Sequence, residues 1–165
     1  MLTKEHLLAR SAALLQAVFD LVYTDQQQGV YHSVVAPKAP EDRKYQMVAV
    51  ERAFVLLFNN NILGQDGINY TVGKDPAFRK LQERKADMAT DLLMVHAIQL
   101  LWEDELLDVL SFIVRKARRP IKVLALVSKT YSSFVVEKAV THASSMGMVR
   151  VLPGNKIVDL SGRCC

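Results

Sequence analysis

Cysteine is missing from the chain until its last two residues, Cys164 and Cys165. No disulfide framework can staple the fold, and no interior thiol is available to share a metal with a histidine. A terminal Cys-Cys is also a prenylation pattern, but the GTPase motifs that accompany such ends are absent, so residues 163–165 read as a tail. Long apolar runs are missing as well. The longest, Ala53-Phe-Val-Leu-Leu-Phe58, is core-sized and well short of the roughly 18 residues that suggest a membrane span. The opening Met1-Leu-Thr-Lys-Glu-His-Leu-Leu has no basic segment leading into an apolar stretch, which argues against a secretory leader. These absences predict an intracellular protein, cytoplasmic or nuclear, with no membrane partner.

Acidic residues are scarce in one part of the chain only. Residues 1–114 carry 11 Lys/Arg and 15 Asp/Glu, whereas residues 115–165 carry 10 Lys/Arg against Glu137 and Asp159 alone. A block so one-sided, folded around a core, favours a polyanionic partner. The rest of the composition is ordinary: half the residues are apolar and 23% charged. A length of 165 residues suits one domain, or one domain with a helical extension.

What is present is mostly helical periodicity. Thr3 can cap a first helix to about Tyr23, with Leu7, Leu14, Leu15, Val18 and Val22 at helical spacing. Asp25 to Asp42, with Pro37 and Pro40, reads as a loop with an extended piece at Val30 to Val35. A second helix fits Arg43 to about Asn60, and Ile68 to Val72 alternates like a strand. Asp75-Pro76 is a helix start, a capping carboxylate followed by proline at the first helical position; that helix is predicted to reach Trp102. Asp104 to Ala117 is amphipathic, with Leu106, Leu107, Leu110, Ile113, Val114 and Ala117 inward. Ile121 to Lys129 is a short apolar helix, although its valines also suit a strand. Phe134 to Met146 is a further helix ended by Gly147. A hairpin follows: Met148 to Leu152, a Pro153-Gly-Asn155 turn, and Lys156 to Leu160. The fold class is mainly α with a small β hairpin: a helical region over 1–103, then a module over 104–162.

Residues 104–160, and above all "HASSMGMVRVLPGNKIVDLS" with Gly147-Met-Val149 and Leu160-Ser161, resemble the winged helix-turn-helix superfamily. The resemblance implies a third helix that enters the major groove and a wing that touches phosphate. On that basis the expected nucleic-acid contacts are Arg118, Arg119, Lys122, Lys129, Ser132, Ser133, Lys138, Thr141, Arg150 and Lys156. The hairpin would pack Val149, Val151, Ile157 and Leu160 inward, leaving Arg150 to solvent. The third helix lacks the Arg, Asn and Gln side chains that read bases bidentately, so this pattern suits phosphate contact better. Winged helices also dock proteins. The order of elements resembles PCI modules of large assemblies too, and a scaffold subunit using an apolar face near Leu92 to Leu101 is the alternative.

Catalytic chemistry finds no foothold. Gly67-Ile-Asn-Tyr-Thr-Val-Gly-Lys-Asp75 departs from a phosphate loop in spacing and puts Asp where Ser or Thr must meet magnesium. His6, His32, His96 and His142 are scattered, without a metal-ligand spacing. Glu103-Asp-Glu105 is explained by its favourable interaction with a helix N-terminus. The expectation is therefore a non-enzymatic, cofactor-free regulator that binds duplex DNA and pairs, as a homodimer or in a complex, through its N-terminal helices.

Overall fold

Between Thr3 and Gly29 no glycine or proline interrupts a helix. In the computed structural model, which describes residues 1–40, 44–74 and 76–160, helix α1 (Lys4–Gln27) accordingly runs past the expected end at Tyr23. It stops where Gly29 adopts φ +76°. By length and composition α1 is apolar enough to cross a membrane; here its Leu14, Leu15, Val18, Phe19 and Val22 are buried. The chain divides into two units, Leu8–Leu100 and a second made of Met1–Leu7 with the residues from Leu101 onward.

In the first unit, α1 is followed by β1 (His32–Ser33), α2 (Met47–Asn59), β2 (Gly64–Asp66), β3 (Asn69–Thr71), α3 (Pro76–His96) and a 3-10 turn, Ile98–Leu100. The strands form an antiparallel sheet in the order β1-β3-β2. Gly67, at φ +60°, takes the first position of the two-residue loop between Asp66 and Asn69, where a tight hairpin needs a positive φ. Strand β2 has no β-favouring residue and is not legible as a strand. Phe54 of α2 stacks on Tyr70 of β3 at 5.0 Å and 22°, which ties helix to sheet. Two polar latches hold the end of α1. The Gln26 amide donates to the Val72 carbonyl at 2.9 Å and accepts the Val72 N–H at 2.7 Å. Buried His32 lies 2.7 Å from an Asp25 carboxylate oxygen.

Pro76 opens α3 as expected; the proposed cap Asp75 and the expected α2 start, Arg43, lie outside the described residues. Helix α3 ends at His96, short of the expected Trp102, and no residue at the break signals it. From Leu92 to Leu101 the apolar residues divide: Leu92, Leu93, Ala97, Ile98, Leu100 and Leu101 are buried in the core, while Met94 and Val95 are exposed.

The second unit contains α4 (Glu103–Lys116), β4 (Ile121–Lys122), a 3-10 turn (Val123–Leu126), α5 (Ser133–Ser145), β5 (Val149–Leu152) and β6 (Lys156–Asp159). The strands are antiparallel in the order β4-β6-β5. The Trp102 N–H donates to the Glu105 carboxylate at 3.1 Å, so the acidic cluster does cap α4. The expected helix over Ile121 to Lys129 splits instead. Ile121 and Lys122 pair with β6, the Val123 N–H donates to the Asn155 carbonyl at 2.9 Å, and only one 3-10 turn remains. The chain start is stitched to this unit, with the Leu2 N–H donating to Thr130 O at 2.8 Å and Ser132 N–H to Leu2 O at 3.0 Å.

Two inward assignments are corrected. On α4 the buried stripe is Val109, Leu110, Ile113 and Ala117, and Leu107 is exposed because it lies roughly 100° around the helix from the centre of that stripe. On β5, Val149 is buried but Val151, which lines an open groove beside α5, is exposed. Val158, on the opposite face of the sheet from Val151, is buried, and Leu160 is half-buried.

Gly147 adopts φ +72° just after α5, with open space where a side chain would sit. Gly147→Ala is therefore expected to cost about 1–2 kcal/mol from backbone strain alone, measurable by urea unfolding. In the first unit, burial and then the Arg52 charge lower the His96 pKa below that of a free histidine. Below about pH 6.5 the unfolded chain takes up a proton that the folded chain refuses. Stability should thus fall as pH drops from 7 toward 5, and His96→Gln should flatten that fall in parallel unfolding curves.

Candidate functional site

In an antiparallel pair, residues directly opposite each other share a face, and neighbours along a strand alternate. The register pairs Ile121 with Ile157 and Ile157 with Val151, and it pairs Lys122 with Lys156 and Lys156 with Leu152. Arg150 stands opposite Val158, two residues along from Lys156. One face of the sheet therefore carries Ile121, Ile157, Val149 and Val151. The other carries Lys122, Lys156 and Arg150 together with Leu152 and Val158. Arg118 and Arg119 lie just upstream, in the short connection from α4 to β4, and both are exposed.

The cations of this face are unusually alone. None of the side chains of Arg118, Arg119, Lys122, Arg150 or Lys156 makes a hydrogen bond or ion pair with a described residue. Like charges set directly opposite across a ladder destabilise it, yet Lys122 and Lys156 are held so. Lys122 and Arg150 are exposed and Lys156 is half-buried, so an arriving anion can reach all three.

The residues expected on or near α5 are distributed differently. Ser133 is exposed at the helix start, and Ser132 before it is half-buried, its Oγ buried without a partner. The Lys138 ammonium sits 5.6 Å from the centre of the Phe134 ring, and Lys4 approaches the same ring at 5.6 Å. Thr141 is exposed, but its hydroxyl donates to the Glu137 carbonyl at 3.0 Å. Lys129 is exposed in the turn before α5, where Ser128 Oγ accepts the Thr130 and Tyr131 N–H groups. Glu137, Thr141, Ser144 and Ser145 of α5 line one side of a groove of about 440 Å³ whose other side is Val123, Val151 and Asn155. Val151 belongs to the apolar face of the sheet, so the groove and the cation cluster lie on opposite faces. The register brings together Lys122, Arg150 and Lys156 on one face, with Arg118 and Arg119 exposed just before β4 in the chain; Ser132, Ser133, Lys138 and Thr141 belong to α5 and its N-terminal approach.

No family model, curated protein or solved structure matches this chain. Its function has to be argued from its own chemistry. Among the described residues no group of three or more His, Cys, Asp or Glu could hold a metal ion. One concave feature had no sequence signal: a cleft of about 570 Å³ in the first unit, walled by Phe19, Tyr23 and Phe78 with Asp20, Lys74 and Arg79 at its rim. Its residues come from α1 and α3 and the loop before α3, far apart in sequence, so only tertiary structure assembles them.

The like-charged pair gives a direct test. Lys122→Glu turns a repulsive cross-strand neighbour of Lys156 into an attractive one. It should stabilise the protein by about 0.2–1 kcal/mol at low salt, with the gain shrinking as salt is added, in thermal or urea unfolding.

Proposed function

We propose that the second unit binds duplex nucleic acid, DNA in the first instance, by laying the cationic face of its sheet on backbone phosphates. The observation that carries this reading is the register of β4 on β6, which holds Lys122 and Lys156 side by side without a carboxylate among the described residues. The order helix, strand, short helical turn, helix, strand, strand, with the first strand joined to the last, supports the resemblance to a winged helix. In that resemblance the hairpin β5–β6 is the wing, and the cations place the phosphate contact on the wing face turned away from α5.

Phosphate contact dominates in this proposal. Arg118, Arg119, Lys122, Arg150 and Lys156 hold the duplex by its phosphates, and no bidentate base reader accompanies them on that face. Such an interface is non-catalytic, discriminates weakly among sequences, and is strongly salt-dependent. Each neutralised phosphate contributes a slope of roughly −0.9 in log K against log salt, so five cations give about −4 to −5. Polarisation titrations of a labelled mixed-sequence duplex at several salt concentrations should show that slope. The double variant Lys122→Glu/Lys156→Glu should reduce its magnitude by about 2, and Arg118→Glu/Arg119→Glu should abolish binding at moderate salt. Wild-type protein that shows no salt-sensitive binding at low ionic strength would overturn the reading.

A protein-docking use of the same unit has one observation in its favour: Leu124 is 70% exposed, and Val151 and Val127 are exposed as well. Under that reading Leu124→Asp breaks assembly with a co-purifying partner, whereas the Arg118/Arg119 reversal leaves assembly intact.

A further inference from the structure

Three aromatic rings, two on α1 and one on α3, meet in the first unit. The Phe19 ring lies 6.0 Å from that of Tyr23, nearly parallel at 13°, and 6.0 Å from that of Phe78, tilted at 48°. Phe19 is buried, but Tyr23 is 42% exposed and Phe78 49%. The rings line the cleft of about 570 Å³ that also takes in Asp20, Lys74 and Arg79. That volume falls within the roughly 300–1,000 Å³ of sites that hold small molecules. Exposed rings scattered singly over a surface would carry no meaning; gathered in a concavity, they make the wall of such a site.

Charge specifies the occupant. Lys74 and Arg79 are exposed, and neither side chain makes a hydrogen bond, ion pair or ring contact with a described residue. Asp20 is the one carboxylate among the described residues that line the cleft. Its Oδ1 already accepts the Gln16 amide at 2.8 Å, and Gln16 in turn accepts from the Gln82 amide at 3.3 Å. Two unpaired cations against one carboxylate that already has a donor suit an anion at the rim. The rings beneath suit a planar π-system, which packs offset or edge-on against them. We propose that this cleft binds a small planar aromatic anion, an aromatic carboxylate being the simplest case. Its ring packs on Phe19, Tyr23 and Phe78, and its carboxylate is held by Lys74 and Arg79.

Two helices and one pinned loop supply the wall. Gln26, one turn along α1 from Tyr23, exchanges two hydrogen bonds with the Val72 backbone, and Gly73 and Lys74 follow directly. Phe78 and Arg79 lie in the first turn of α3. Groups fixed on such elements lose little freedom when a ligand arrives, so less of the contact energy is spent on ordering them. The site does not depend on phosphate binding by the second unit, and either can fail alone.

Isothermal titration calorimetry of the full chain with naphthoate, naphthamide and naphthylmethylammonium tests the assignment. The expected result is saturable binding of naphthoate, with the neutral amide bound about tenfold more weakly and the ammonium compound weaker still. Lys74→Gln/Arg79→Gln should erase the preference for the anion over the amide. Phe78→Ala should weaken the binding of both by about tenfold. All three positions are exposed, so circular dichroism and Tm should stay unchanged. Lys80→Gln, exposed on α3 but outside the cleft, should leave naphthoate binding as it is. No saturable binding of naphthoate in the millimolar range overturns the proposal, as does binding that Phe78→Ala leaves intact. An amide or ammonium compound bound as tightly as naphthoate overturns the choice of an anion. A loss in Lys80→Gln equal to that in Lys74→Gln/Arg79→Gln reduces the effect to general charge attraction and overturns the site.

Discussion

The pairing of β4 with β6 spans two residues, and the orientation of the C-terminal sheet turns on it. A β5–β6 hairpin alone would be marginal in water and free to present either face. With Ile121 set opposite Ile157, the ladder gains a third strand and its apolar alternation is fixed toward α5. A slip of one residue would carry Lys122 and Lys156 to the apolar side and Ile121 to the other, so burial of Ile157 enforces the register. The Val123 N–H bond to Asn155 anchors the turn at the same place. The position of every cation on the sheet is therefore a consequence of core packing, not of any attraction among the cations themselves.

That consequence is electrostatically unfavourable for the isolated protein. Two ammonium groups on facing residues repel even in water, by something under about 1 kcal/mol, and Arg150 adds to the same field. The two carboxylate side chains of the basic block lie elsewhere. Asp159 lies at the far end of β6, opposite Val149 on the apolar face, and Glu137 points into the groove between α5 and the sheet. A phosphate would remove the repulsion, and counterion release would add to the gain. Stability surrendered at a surface and recovered on binding is the ordinary signature of a binding face.

Features with a local cause could be read from the sequence. Gly147 ends α5 because a left-handed residue is required there, Pro76 opens α3, and Gly154 and Asn155 turn the hairpin at φ +81° and +55°. Features with a distant cause could not. Strand β2 consists of Gly-Gln-Asp and exists because β3 lies beside it. Ile121-Lys122 is a strand because β6 offers a free edge, and Leu2 joins the second unit through Tyr131, which no periodicity announces. The candidate contacts divided in the same way. Their charge was visible in composition, but which of them share a face depends on the cross-strand register, and Lys138 and Thr141 turned out to have contacts within or beside α5.

The first unit answers a related constraint by other means. Its strands are two or three residues long, too short for a ladder to hold them. The last turn of α1 supplies what the ladder lacks. Gln26 pairs with both backbone groups of Val72 as a neighbouring strand would, and Asp25 fixes His32 on β1. Because those groups are partly or fully buried, losing either latch would strand polar atoms, which costs more than the bond itself contributes. These polar residues are thus committed to positioning its sheet.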